Sequence, residues 1–199
     1  MDVLSLDDEN NEWIRSTRRQ VGLMRRMVDD MVFLAKADEG RPRAAFVPFD
    51  LARLLRSTAE PFVLMAEAGD RTLLLDCPDA VTMTGDEKSV ERLISVLCDN
   101  AIKYSPAGDT LRLSLTVKGS WAVLATENAS ASPLPPEKLR HLFDRFYRGD
   151  EARTHGQARS GFGIGLSIAL AVAELHGGTA EASMRDDRLR IECRLKLHS

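Results

Sequence analysis

Between Glu12 and Asp38 the apolar residues Val21, Met24, Val28, Met31 and Ala35 recur at steps of three, four, three and four. That spacing predicts an amphipathic helix, and its persistence suits a helical hairpin or a helix dimer. Arg15, Arg18, Arg19, Arg25 and Arg26 fall largely off the stripe and read as a solvated face. Gly40, Arg41, Pro42 and Arg43 end the helix and form a linker, dividing the chain into residues 1–43 and residues 44–199.

From Phe46 the pattern becomes mixed α/β. Asp50 stands as an N-cap before Leu51, Leu54, Leu55 and Ala59, which predicts a short helix. Thr72 to Asp76 and Ala80 to Thr84 read as strands across a Pro78-Asp79 turn. The strongest helix starts at Gly85-Asp86, buries Val90, Leu93, Ile94, Leu97, Cys98 and Ala101, and is stopped by Pro106 and Gly108. Thr110 to Val117 and Trp121 to Thr126 form a hairpin across Gly119-Ser120. Pro136 to Arg148 reads as a short helix with Leu139, Leu142, Phe143 and Phe146 inward. Gly149 to Ser160 is a polar loop long enough to act as a lid. A helix from near Gly163 to His176, stopped by Gly177 and Gly178, and a hairpin of Thr179 to Met184 with Leu189 to Leu197 complete the chain.

Composition narrows the class. A 199-residue chain with 44% hydrophobic and 29% charged residues is an ordinary globular protein. Its net charge of −3 and the lack of a basic domain argue against nucleic acid as a partner. The three cysteines, Cys77, Cys98 and Cys193, have neither metal-ligand spacing nor a pairing pattern and read as small buried hydrophobes in a reducing compartment. No basic-then-apolar leader and no apolar run of bilayer length is present in the sequence.

Two stretches carry chemistry. Gly161, Gly163 and Gly165 alternate with Phe162 and Ile164 just before a run of helix formers. Glycines at a helix start let backbone amides approach a ligand closely, and the helix end favours an anion such as phosphate. The spacing is neither that of a dinucleotide-binding loop nor that of a Walker loop, and the alternative on spacing alone is a flexible connection before a core helix. In the second stretch, Asn100 and Lys103 lie three apart beside the buried stripe of the strongest helix, where they can meet one ligand. An amide oxygen suits Mg²⁺, and an ammonium suits phosphate.

Together these motifs resemble those of sensor histidine kinases. Asp99-Asn100-Ala101-Ile102-Lys103-Tyr104 is similar to the asparagine box, Leu142-Phe143-Asp144-Arg145-Phe146-Tyr147-Arg148 to the phenylalanine box, and Gly161-x-Gly163-x-Gly165-Leu166 to the second glycine box, with His176-Gly177-Gly178 following. The resemblance implies an α/β fold, a two-layer Bergerat-type sandwich in which a mixed sheet packs on helices, preceded by one long amphipathic helix. It implies ATP and Mg²⁺ as cofactors. Asn100 would hold Mg²⁺, Lys103 would contact phosphate and Tyr104 would lie beside the adenine or ribose. The loop from Gly161 through Phe162, Gly163, Ile164 and Gly165 to Leu166 would wrap the triphosphate. Arg148 would face the γ-phosphate from a lid at about 129–160.

Two departures accompany it. Where the family's first glycine box would fall, this chain reads Glu127-Asn128-Ala129-Ser130-Ala131-Ser132-Pro133-Leu134, with Asn128 at the position of the adenine-reading Asp. An amide oxygen can also accept from an amino group. In addition, the histidines, His141, His155, His176 and His198, all lie in or after the ATP-binding region, so no phosphoacceptor site is present. The helix Glu12 to Asp38 resembles the second helix of the dimerisation hairpin. The expected protein is therefore the catalytic part of a sensor kinase, the cytoplasmic portion of a membrane-anchored sensor. Its expected partners are a phosphoacceptor helix outside this chain, a response regulator and a second copy through the N-terminal helix. Alternatives are a degenerate module without nucleotide binding that acts through protein contacts, and a chaperone- or topoisomerase-like ATPase.

Overall fold

The computed structural model describes residues 12–38, 46–130, 134–147 and 162–197. The elements run α1 (Glu12–Asp38), β1 (Val47–Asp50), α2 (Leu51–Ala68), β2 (Thr72–Asp76), β3 (Thr82–Gly85), α3 (Glu87–Tyr104), β4 (Thr110–Lys118) and β5 (Trp121–Ala129). They continue with α4 (Pro136–His141), α5 (Gly165–Leu175), β6 (Thr179–Arg185) and β7 (Arg188–Lys196).

Five strands make one mixed sheet in the order β2-β4-β5-β7-β6, with β2 parallel to β4 and the other pairs antiparallel. The side-chain period of two sorts each strand. Leu111, Leu113 and Leu115 of β4, Ala122 and Leu124 of β5, and Ile191, Cys193 and Leu195 of β7 point inward onto α2, α3 and α5. On the outer face Glu192 sits between Arg190 and Arg194 at 3.1 and 3.0 Å. Burial pushes its carboxyl up, but hydrogen bonds and charge from the two arginines outweigh that and hold it below the usual carboxylate range. Burial pushes the Cys98 and Cys193 thiols up to about 12, as for inert core residues, while Cys77 is half-buried.

Asp50 caps α2 as expected. Its Oδ1 accepts from the N–H groups of Ala52 at 3.0 Å, Arg53 at 3.2 Å and Val81 at 3.2 Å. These bonds, that from Val81 foremost, lower its pKa. The helix is longer than the expected Leu51–Ala59 segment, running through Pro61 to Ala68. Pro61 is exposed and forfeits one backbone bond, but Phe62, Val63 and Ala66 extend the apolar stripe onto the core, and that burial outweighs the loss. The expected strand Ala80 to Thr84 occupies Thr82–Gly85 and pairs with β1, outside the main sheet. β1 itself is only four residues long and contains Pro48, too weak a pattern to read as a strand.

One further expectation is corrected. The helix at Pro136 stops at His141, short of Arg148, and Phe146 beyond it takes φ +65°, which no right-handed helix accommodates. Phe143 is core, whereas Phe146 is 56% exposed. In α1 the stripe of Val21, Met24, Val28, Met31 and Ala35 does not face the sandwich, for Val21, Met24 and Val28 are 59%, 64% and 58% exposed. The helix docks instead through buried Phe33 and Leu34, aided by Met27, with Asp30 bound to Arg92 of α3. The Arg92 guanidinium also lies 4.6 Å over the Phe33 ring.

Candidate functional site

The site begins with α3. Asp86 caps it by accepting from the Ser89 N–H at 3.2 Å and the Ser89 hydroxyl at 2.7 Å. The expected residues Val90, Leu93, Ile94, Leu97, Cys98 and Ala101 are all buried, which fixes the helix's rotation. Arg92, Val96, Asn100 and Lys103, at steps of four, four and three, therefore share an adjacent stripe. Asn100, Lys103 and Tyr104 are half-buried there, and the Lys103 ammonium lies 5.3 Å from the Tyr104 ring centre.

The glycine segment meets this stripe. A Cβ on Gly165 would sit 3.5 Å from Val96 Cγ1, so α5 starts one helical turn from Asn100. Ile164, at the N-cap, makes no side-chain hydrogen bond to the first amides of α5. The turn is fixed from within, since the Ile164 carbonyl accepts from the Ser167 hydroxyl at 2.7 Å and the Ile168 N–H at 3.1 Å. Ile164 and Leu166 are buried and Phe162 is exposed. The α5 helix starts at Gly165, two residues beyond the expected point, because Gly163 has φ +72°. The Gly163 carbonyl accepts from the Phe146 N–H at 2.9 Å, and a Cβ there would lie 2.6 Å from the Tyr147 carbonyl oxygen. The second glycine box and the phenylalanine box are thus in direct backbone contact. Arg148 and Gly161 lie outside the described residues.

Asn128 is 1% exposed, at the end of β5 on the face turned toward α3. Its Nδ2 donates to the Ala129 carbonyl at 2.8 Å, while its Oδ1 has no hydrogen-bond partner among the described residues. The strand end is braced on the other side. Asp109 accepts from the Ala129 N–H at 2.8 Å and from Arg188 at 3.2 Å, and Arg188 also donates to Glu127 at 2.9 Å.

His176, singled out in the sequence only as part of a motif, joins the helices. Its Nδ1 lies 2.8 Å from the Val172 carbonyl, its Nε2 accepts from the Asp86 N–H at 3.1 Å, and its ring stacks on Phe46 at 4.9 Å. The proton is therefore on Nδ1, and burial lowers the ring's pKa. Sequence reasoning missed Thr126, 1% exposed on the inner face of β5 with an Oγ1 that has no hydrogen-bond partner among the described residues. The inward alternation of the strand was its only signal.

A mixed sheet under α3 and α5, with Asn100 and Lys103 on the stripe of α3 that carries Val96 and the glycine-led start of α5 packed against Val96, is the arrangement of a nucleotide-binding ATPase domain. Residues 85–199 match the model of the histidine kinase-, DNA gyrase B- and HSP90-like ATPases. The chain belongs to that family, as the catalytic ATP-binding domain of a histidine kinase. It is 29% identical over 195 residues to the sensor protein DltS of Streptococcus agalactiae, covering 98% of this chain and 48% of that protein. It is 31% identical over 167 residues to the signal transduction histidine-protein kinase BaeS of Escherichia coli, covering 84% of this chain and 35% of that protein. The chain thus spans about half or less of the length of these relatives. In fold it matches the Acinetobacter baumannii histidine kinase AdeS with a TM-score of 0.76 at 21% identity, over 94% of this chain and 85% of that one.

Proposed function

We propose that this chain binds Mg-ATP between α3 and the start of α5 and passes the γ-phosphate to a histidine outside residues 1–199, within a larger sensor. The observation that carries the reading is the approach of Gly165 to Val96, which sets the amide end of α5 one turn from Asn100. Among the described residues no group of three His, Cys, Asp or Glu side chains could hold a metal alone, so a cation here would be shared between Asn100 and ligand phosphates. The hard amide oxygen of Asn100, half-buried at that junction, fits this role. Bound Mg²⁺ would supply charge neutralisation at the β- and γ-phosphates. Lys103 brings a positive charge to the same stripe, Tyr104 borders it, and Gly163 lets the backbone come close. Asn128 Oδ1 offers an acceptor to the base amino group. Arg148 would act from the lid of about 129–160, and Gly161 and Phe162 from its hinge.

The unpartnered buried oxygen of Asn128 favours this reading over a degenerate module, because a chain that had given up nucleotide would gain by an apolar residue there. Residues 1–43 act as the second hairpin helix and linker and residues 44–199 as the catalytic domain. The exposed stripe of Val21, Met24 and Val28 serves the phosphoacceptor helix and a second copy, and a response regulator receives the phosphate. No helix among the described residues is long and apolar enough to cross a membrane, and within a sensor kinase the chain would serve as the cytoplasmic part of a membrane-anchored protein. Calorimetric titration with Mg-ATP tests the proposal: the parent binds and Asn100→Ala loses magnesium-dependent affinity at least tenfold. Equal binding by the two proteins overturns the metal role.

A further inference from the structure

At β2 the sheet ends, but the helical layer above it continues. α3 packs on β4 and β5, α5 packs on β6 and β7, and α2 packs chiefly on β2. Neighbouring strands lie about 4.8 Å apart and packed helices about 9 Å apart, so each helix spans about two strands. Three helices therefore match six strands, and the sheet has five. The unmatched place lies beyond β2, beneath the outer flank of α2.

That place is open and apolar. A groove of about 440 Å³ there is lined by Arg56, Ser57, Glu60, Val63 and Leu64 of α2 and by Leu75 of β2. Leu64 is 65% exposed and Leu75 37%. The Thr72 N–H donates to the Asp109 carbonyl just before β4, so by strand alternation the N–H and C=O groups of Leu73 and Leu75 point away from β4. Among the described residues those outward groups make no hydrogen bond. The opposite edge is guarded, for β6 is flanked by α4 and carries Glu181 and Arg185.

We propose that an extended segment of a partner protein adds a sixth strand beside β2. Its backbone pairs with Leu73 and Leu75, and alternate apolar side chains enter the groove under α2. A second copy of this chain does not fit, because two-fold pairing of β2 would set both α2 helices over the same two strands, where one helix has room. Charge selects the segment further. Arg56 donates to the carbonyls of Pro78 at 3.0 Å and Asp79 at 2.7 Å, whereas the Glu60 carboxylate makes no ion pair among the described residues. The segment therefore carries a lysine or arginine beside Glu60.

The test is selection of displayed random linear peptides on the full chain, then titration of the best synthetic binder against the parent, Leu75→Glu and Glu60→Lys. Enriched peptides should alternate apolar and polar residues and include a basic one. Each substitution should weaken binding about tenfold or more, and N-methylation of the peptide's pairing amides should abolish it. Amide exchange at Leu73 and Leu75 should slow when the peptide is bound. Melting curves check folding, and if Leu75→Glu melts lower, the surface substitution Glu60→Lys decides. Failure to enrich any peptide, or a binder indifferent to Glu60→Lys and to N-methylation, overturns the inference. Sedimentation should show Leu75→Glu in the oligomeric state of the parent, and a dimer lost on that substitution would give the edge to a second copy and overturn it as well.

Discussion

The Asp86 N–H donates to Nε2 of His176 at 3.1 Å, tying the N-cap of α3 to the C-terminal end of α5 across 90 positions of sequence. In the proposed site both helices would contribute, one through Asn100 and Lys103 and the other through its glycine-led start. The bond therefore fixes the far ends of the two elements whose near ends must stay in register. It requires a neutral ring, because a protonated Nε2 has no lone pair to accept with.

That requirement makes stability depend on pH. Burial lowers the His176 pKa from its ordinary 6.5, more than the Val172 bond and the Asp86 charge raise it. Below about 6.5 the unfolded chain binds the proton more readily than the folded one, so stability falls as protons are added. The contribution of the neutral ring is complete above that range and is lost as pH drops toward the lowered folded value. His176→Phe keeps an aromatic ring against Phe46 but strands the Asp86 N–H, at about 1–3 kcal/mol. Melting temperatures from pH 8 to pH 5 should show the parent falling below about 6.5, with the gap between parent and variant narrowing there. A gap that stays constant with pH would rule out His176 as the titrating group.

The glycines of the loop separate into different roles. Gly163 has φ +72°, and a Cβ there would meet the Tyr147 carbonyl oxygen at 2.6 Å, whereas a Cβ on Gly165 would make an ordinary 3.5 Å contact with Val96. Gly163→Ala should therefore cost about 1–3 kcal/mol and disturb the junction with Phe146. Gly165→Ala should leave the fold as stable as the parent or slightly more so. Thermal melts of both variants decide it, and equal destabilisation by the two would refute the distinction. ATP titration of Gly163→Ala should show at least a tenfold loss, because the junction it disturbs positions the start of α5.

The same loop shows what could and could not be read from the sequence. Periodicity identified α3, its buried stripe and hence the shared face of Asn100 and Lys103, because burial of one stripe dictates where the next one points. It also placed the glycine segment at a helix start. It could not distinguish Gly163 from Gly165, since the difference lies in a carbonyl from Tyr147. The extension of α2 past Pro61 was hidden because a local breaker was outweighed by burial in a core not visible in one segment. Thr126 was hidden because an inward threonine in a strand looks like any β-branched residue until its hydroxyl proves to lack a partner.

In α1 the regular stripe revealed the helix but not its docking face. That face rests on Phe33, Leu34, Met27 and the Asp30–Arg92 pair, whose side chains are 29% and 28% exposed. Partial exposure keeps the ion pair to about 1 kcal/mol, with the stacking of Arg92 on Phe33 adding a similar amount. Phe33→Ala removes both the buried ring and the stacking partner, at about 3 kcal/mol. The loss should fall on the attachment of α1, because the sandwich core is built without it. Trypsin should then cut Phe33→Ala faster than the parent at Arg25 and Arg26, with residues 46–130 equally protected in both. ATP affinity should stay within about twofold of the parent, since the rotation of α3 is held by Val90, Leu93, Ile94, Leu97, Cys98 and Ala101 rather than by Arg92. A larger loss of affinity would mean that the docked helix, and not the buried stripe alone, sets the position of Asn100.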